Sequence, residues 1–321
     1  MNNARLDKLS GLIEWPDDDA RSSAVARLRE RREDPLGRLG DVAAWLSAVY
    51  GVCPPPPPAR AKLMIFTDDA GVPDVVDRVA SHSLRAVLRS RADGEATEVW
   101  DALARGALLA DTEADIGTDL LLLAAPSEAA RVPAATLIAF LNEADAQTVA
   151  STLRGDQEWM RMVSAVRDSL RRVKKAPEDP LSLLEAIGGT EIAHLTGVIL
   201  GAAARKLPVI FEGLAPTAAA LMAHRINEAA GAWFMPAHND PDPASTSGLR
   251  YLGRSALLDV GLFPGDGIAV LLAAEMLDVA AASLSDTGRI VGESETWFSD
   301  PLSPLSEIPA EPEGDASAPG S

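Results

Sequence analysis

Cysteine, histidine, aromatic residues and positive charge are all scarce in this sequence of 321 residues. Cys53 is its one cysteine, so no disulfide can close within the chain, and a reducing compartment is the expected setting. Histidine occurs only at 82, 194, 224 and 238, which argues against a histidine-rich metal centre. Aromatics make up 4%, so the core has to be built mostly from Ala, Leu and Val. Against 47 Asp and Glu stand 29 Lys and Arg, a formal net charge of −18. That balance argues against a nucleic-acid or anionic-membrane surface. An anionic nucleotide would gain no long-range steering either. Any phosphate site has to be made locally, from backbone amides or single arginines. No apolar run reaches the ~20 residues that span a bilayer, and the opening MNNARLDKLS has no apolar signal core. The expected location is the cytoplasm, with no cofactor and no metal.

What is present is a hydrophobic share of 47%, ample for one large domain or one large and one small. The chain is organised around residues 186–225, AIGGTEIAHLTGVILGAAARKLPVIFEGLAPTAAALMAHR. Gly188-Gly189 punctuates it, and residues 191–205 run at helical spacing. A short apolar run follows at 207–211, then the turn Glu212-Gly213, then a second helix from about Thr217. Helix, strand, turn, helix is one unit of a doubly wound α/β sheet, and Glu212 lies at the carboxyl end of its strand, where such sheets bind ligands.

Elsewhere the spacing predicts a loose acidic arm over 1–20 and two helices over 21–50, broken near Asp34-Pro35. Pro54 to Pro58 read as a stiff polyproline spacer or, alternatively, as a docking site for a Pro-recognition domain. Strands are expected at 61–67, 119–124, 148–152 and 232–237, and helices at 72–91, 95–111, 156–173, 177–187 and 268–284. Residues 292–321, with seven carboxylates and no Lys or Arg, are expected to be disordered. The implied organisation is an arm and helices over 1–53, a linker over 54–60, an α/β core over 61–267, and a returning helix over 268–291 ahead of that tail.

The central stretch resembles the nicotinate-nucleotide:dimethylbenzimidazole phosphoribosyltransferase family, whose pattern reads roughly GG-x-EIA-x-x-TG-x-x-LGAA-x-x-x-x-PV-x-x-DG, then TAAAL. The match is gap-free, with Glu212 in place of the family Asp. The resemblance extends over 28–72 and 119–284. It implies an α/β fold with a doubly wound, mostly parallel sheet and a small helical domain drawn from both chain ends. It also implies transfer of phosphoribosyl from nicotinate mononucleotide to 5,6-dimethylbenzimidazole, the lower-ligand step of cobalamin synthesis, by a homodimer or a heterodimer with a paralogue. The alternative is a catalytically silent homologue that binds an azole or nucleoside, or that regulates an active paralogue.

Residue by residue, the family's catalytic Glu falls on Asp266, between Gly265 and Gly267 in FPGDG; Asp266-Gly267 also reads as a plain turn. Asp69 and Gly71 match the family's FAGDHGV in FTDDAGV; Asp69 also reads as a plain helix cap. Glu191 and His238 match as pocket residues, and Glu191 alternatively as a carboxylate favoured at a helix N-terminus. Asp69, Glu191, Glu212, His238, Gly265 and Gly267 are thus the implied substrate-binding set. Two phosphate elements of the family are replaced. Its glycine-rich loop falls on residues 124–132, AAPSEAARV, and its lysine on Met162. Arg131, Arg154 and Arg161 are the candidate substitutes. His82 and His224 read as solvated and His194 as a packing residue.

Overall fold

The computed structural model describes residues 2–30, 36–67, 76, 98–151, 155–262 and 266–285, with backbone alone for 86–91. Asp69, Gly71, His82, Arg154, Gly265 and the tail lie outside the described residues.

Three helices come first: α1 (Asn2–Ser10), α2 (Asp18–Glu30) and α3 (Arg38–Tyr50). The expected loose arm is therefore largely helical. Asp17 accepts the Ala20 amide at 2.7 Å and caps α2, while Trp233 donates to the Glu14 carbonyl at 2.7 Å. Strand β1 (Ala61–Thr67) follows the proline run, and Asp119 seats it by accepting the Ala59 and Arg60 amides.

Among the described residues, five parallel strands form one sheet in the order β2-β1-β3-β4-β5. Besides β1 they are β2 (Ala86–Arg91), β3 (Leu120–Ala124), β4 (Val209–Glu212) and β5 (Phe234–Pro236). Across them Leu63 pairs with Leu122, Leu122 with Ile210, and Ile210 with Met235. Residues 120–124 are buried throughout, as a strand covered on both faces must be. β2 corrects the expectation of a helix over 72–91 for residues 86–91, while 72–75 and 77–85 lie outside the described residues. AVLRSR carries no strict alternation, and the sheet edge decides its state. The expected strand at 148–152 is also corrected, because Ala146–Val149 makes a helical turn.

The remaining helices are α4 (Val99–Asp115), α5 (Arg131–Leu141), α6 (Ala146–Val149), α7 (Asp156–Val173), α8 (Pro180–Ile187), α9 (Thr190–Ala204), α10 (Leu214–Ile226), α11 (Pro243–Tyr251) and α12 (Ile268–Ser285). They cover both sheet faces. Phe66 of β1 meets His194 of α9 edge-on at 5.1 Å. Its neighbours in the other register, Leu63 and Ile65, point at Gly267 ahead of α12. α12 is apolar and long enough to cross a bilayer, but half of it is buried, and it packs on α2, α3 and the central strands. The N-terminal helices and α12 therefore meet over one sheet face, within the compact unit of residues 1–285.

α4 and α9 meet through their backbones. A Cβ on Gly197 would lie 1.9 Å from the Leu103 carbonyl oxygen, and one on Gly106 would lie 2.0 Å from that of His194. His224 departs from its solvated expectation. Its buried Nδ1 faces Gly231, where a Cβ would sit only 2.6 Å away.

Candidate active site at the carboxyl edge

The chain runs from β1 outward to β2, then back past β1 to β3, β4 and β5. The strand order thus reverses between β1 and β3, and the carboxyl ends there are where an open α/β sheet holds its ligand.

Glu212 ends β4 and is 3% exposed. Its Oε1 accepts the Gly267 amide at 2.6 Å and its Oε2 the Val270 amide at 2.7 Å. These are orphan donors at the start of α12, so a carboxylate there also meets the positive end of the helix. Burial is the main cause that raises the Glu212 pKa to about 7; the amide bonds pull it down and the Asp266 charge pushes it up.

Asp266 sits in the same turn. Its Oδ1 accepts the Ile268 amide at 3.0 Å, and the side chain remains part-exposed. Gly267 has φ +96, a backbone that favours glycine, and its Cα faces Ile65, Leu63 and Val76. Sequence matching placed Glu212 and Asp266 separately; the fold joins them, with one anchoring the turn that carries the other.

Glu191 lies in the first turn of α9 and accepts from the Ser127 hydroxyl at 2.7 Å. Ser127 in turn accepts the Ala130 amide at 3.2 Å. The loop after β3 is therefore tied to α9 by its own side chains. Glu128 of that loop pairs with Arg131 at 3.0 Å. Arg161 is exposed and pairs with Glu158 at 3.1 Å, and Met162 is buried in the core. Ser127 carried no signal that sequence matching could use, because its role depends on a partner 64 residues away.

His238 follows β5, is 4% exposed and bridges to Leu258. The Val260 and Leu262 amides donate to its Nε2 at 3.4 and 3.3 Å. Burial lowers its pKa and nearby Asp259 opposes that, so the ring is a neutral acceptor that organises residues 258–262. Sequence reasoning missed Asp240, which is buried and accepts the Asp242 amide at 2.7 Å and the Ser245 hydroxyl at 3.0 Å. Burial is the main cause that raises it to about 6, with the Asp242 charge adding to it. Its signal was available in the run Asp240-Pro241-Asp242-Pro243, where Asp242 caps α11 and Pro243 opens it. Among the described residues no group of three or more His, Cys, Asp or Glu is arranged to hold a metal ion.

The edge thus offers a part-exposed carboxylate on a fixed turn, further buried acids and a buried neutral imidazole. That set can accept a proton from a bound ligand. A phosphoribosyltransferase family model matches residues 93–290. The nicotinate-nucleotide–dimethylbenzimidazole phosphoribosyltransferase of Streptomyces avermitilis is 35% identical over 342 aligned positions, covering 88% of this chain and 90% of the relative. The protein of that name from Streptomyces coelicolor is 33% identical, covering 88% and 95%. Among solved structures, the nicotinate-nucleotide-dimethylbenzimidazole phosphoribosyltransferase of Thermus thermophilus superposes with a TM-score of 0.73 over 84% of this chain and 96% of that one, at 23% identity. At that identity the likeness speaks for the fold.

Proposed function

This chain belongs to the nicotinate-nucleotide–dimethylbenzimidazole phosphoribosyltransferase family, and from that premise we propose that it moves the phosphoribosyl group of nicotinate mononucleotide to 5,6-dimethylbenzimidazole. One ring nitrogen of the azole attacks C1′ of the ribose. The bond from C1′ to the pyridinium nitrogen breaks, and its electron pair leaves with nicotinate. The other azole nitrogen gives up its proton to the Asp266 carboxylate, which sharpens the attacking nitrogen as the new bond forms.

The observation that carries this reading is the anchorage of the Asp266 turn. Buried Glu212 holds Gly267 and Val270 at 2.6 and 2.7 Å, so the carboxylate beside them is presented at the sheet's carboxyl edge with little freedom. Positioning on that scale matters, since misplacement by about 1 Å can cost ~10²-fold in rate. Glu191 and His238 fix the flanking loops around the same edge.

The test is nicotinate release from nicotinate mononucleotide in the presence of dimethylbenzimidazole. Release that depends on the azole and falls by about 10²-fold or more in Asp266→Asn is expected. No release from the wild-type chain, with that donor or with other azoles, would remove the transferase reading.

A further inference from the structure

A cavity lies away from the carboxyl edge. It has a volume of about 570 Å³ and opens between α2, α3 and the amino end of β5. That size suits a small organic ligand. Trp15, Trp45 and Met235 give its lining apolar surface, and Arg21, Arg38 and Arg254 give it positive charge. Trp45 is itself fixed, donating from Nε1 to the Ala232 carbonyl at 2.9 Å. Trp15 is 63% exposed, a large ring left at the rim.

Arg38 and Arg254 make their hydrogen bonds to carbonyl oxygens. Arg254 is half-buried and spends one N–H on the Gly231 carbonyl at 2.6 Å. Arg38 donates to the Ser255 and Ala256 carbonyls. Among the described residues, none of the three arginines forms an ion pair. Burial lowers the Arg254 pKa, and the charge of Arg21 lowers it further, so the two guanidiniums feel each other. Two like charges facing one space are an arrangement that an anion relieves. Asp17, Asp18 and Asp41 also line the cavity. Asp17 is engaged in capping α2. Three acids against three arginines disfavour a phosphate or polyanion, so the better match is a ligand with one negative charge held locally by Arg21 and Arg254.

We infer that this cavity is a binding site for a small aromatic carboxylate, with its carboxylate on Arg21 and Arg254 and its ring against Trp15 and Trp45. A bidentate guanidinium–carboxylate pair supplies the orientation, and the tryptophans supply the flat contact. The site is also connected. Residues 254–258 run beside β5, where the Leu257 amide donates to Pro236 at 3.0 Å and the Leu258 amide to Ala237 at 2.8 Å, and lead directly to the segment that bonds His238. The inference stands apart from the transfer reaction, although the nicotinate that the proposed reaction releases belongs to this class of ligand.

Benzoate is the probe. The full chain, labelled with 15N, has six tryptophan indole N–H signals, and Trp15→Phe identifies that of Trp15. Benzoate is expected to move the Trp15 signal saturably. Benzamide, which keeps the ring and lacks the charge, should bind at least about tenfold more weakly, the scale of one charge-assisted pair. Arg21→Gln, on an exposed helix surface, should weaken benzoate by a similar factor. Inorganic phosphate should leave the signal in place. The inference falls if benzoate leaves Trp15 unmoved, if benzamide binds as well as benzoate, if Arg21→Gln changes nothing, or if phosphate shifts the signal in benzoate's place. Each of these results leaves the nicotinate-release assay untouched, and loss of activity in that assay leaves the benzoate titration untouched.

Discussion

The Oε1 of Glu212 accepts the Gly267 amide at 2.6 Å across 55 residues of chain, and this bond ties the end of the fourth strand to the turn that carries Asp266. The partners come from elements that sequence patterns read as unrelated. The consequences can be measured.

Glu212 should leave a pH signature in stability. Its pKa is raised from the ordinary 4.5 to about 7. A raised carboxyl pKa means the folded state holds a proton that the unfolded state has released. The stabilisation is therefore fully present below pH 4.5 and is lost as pH rises through 7, a change of about 3 kcal/mol. Chemical denaturation from pH 4.5 to 8 should show wild type losing stability relative to Glu212→Gln across this window. A constant gap between the two would count against the assignment.

Asp266 should tolerate lengthening better than neutralisation. Asp266→Glu keeps a carboxylate in the turn, displaced by one methylene, and is expected to lose no more than ~10²-fold. Asp266→Asn should lose ~10² to 10⁴-fold in kcat, the usual worth of a general base. Steady-state nicotinate release gives both numbers. Equal losses in the two variants would mean that the turn's shape, and not its charge, matters.

His238 titrates in the opposite sense to Glu212. Its pKa is lowered from 6.5, mainly by burial, so the unfolded state binds the proton more readily. Its contribution is present above pH 6.5 and is lost as pH falls through the lowered folded value. His238→Gln keeps an acceptor that does not titrate. The variant should lose less stability than wild type on acidification from pH 7 to 5.

Gly197→Ala tests the contact between α4 and α9. A Cβ there would lie 1.9 Å from the Leu103 carbonyl oxygen, so backbone has to move. A loss of about 3 kcal/mol is expected, at the upper end of ordinary overpacking. Thermal unfolding will show it as a clear fall in Tm. Gly253→Ala is the control, with φ +61 but no atom within 4 Å of the added carbon; its loss reports backbone strain alone and should be the smaller.

The sheet was legible because its central strands are apolar runs bounded by turns, and parallel strands need no finer signal. Residues 120–124 and 209–212 fall where the runs lie. β2 was hidden because a six-residue edge segment with two arginines takes its state from its neighbour in the sheet. The first helix, α1, was hidden because its polar sequence has little periodicity, and contacts with distant residues such as Trp233 hold the segment that follows it. At the candidate site the residue types could be matched in sequence, but their division of labour could not. Glu212 reads as an acid facing a ligand, and the fold buries it against two amides. That distinction depends on which donors the rest of the chain brings within 3 Å, and no local pattern encodes it.

The contact between α4 and α9 has a further consequence for redesign. Because carbonyl oxygens and glycine Cα atoms are what touch, the spacing between these helices has no fine adjustment; a single methyl is already too large a step at Gly106 or Gly197. Glu191 rides on α9 and inherits that fixed position. Anyone wishing to reshape the carboxyl edge for a bulkier or smaller base therefore has one wall that behaves as a datum. The adjustable wall is the opposite one, where α12 meets the sheet through side chains that come in graded sizes.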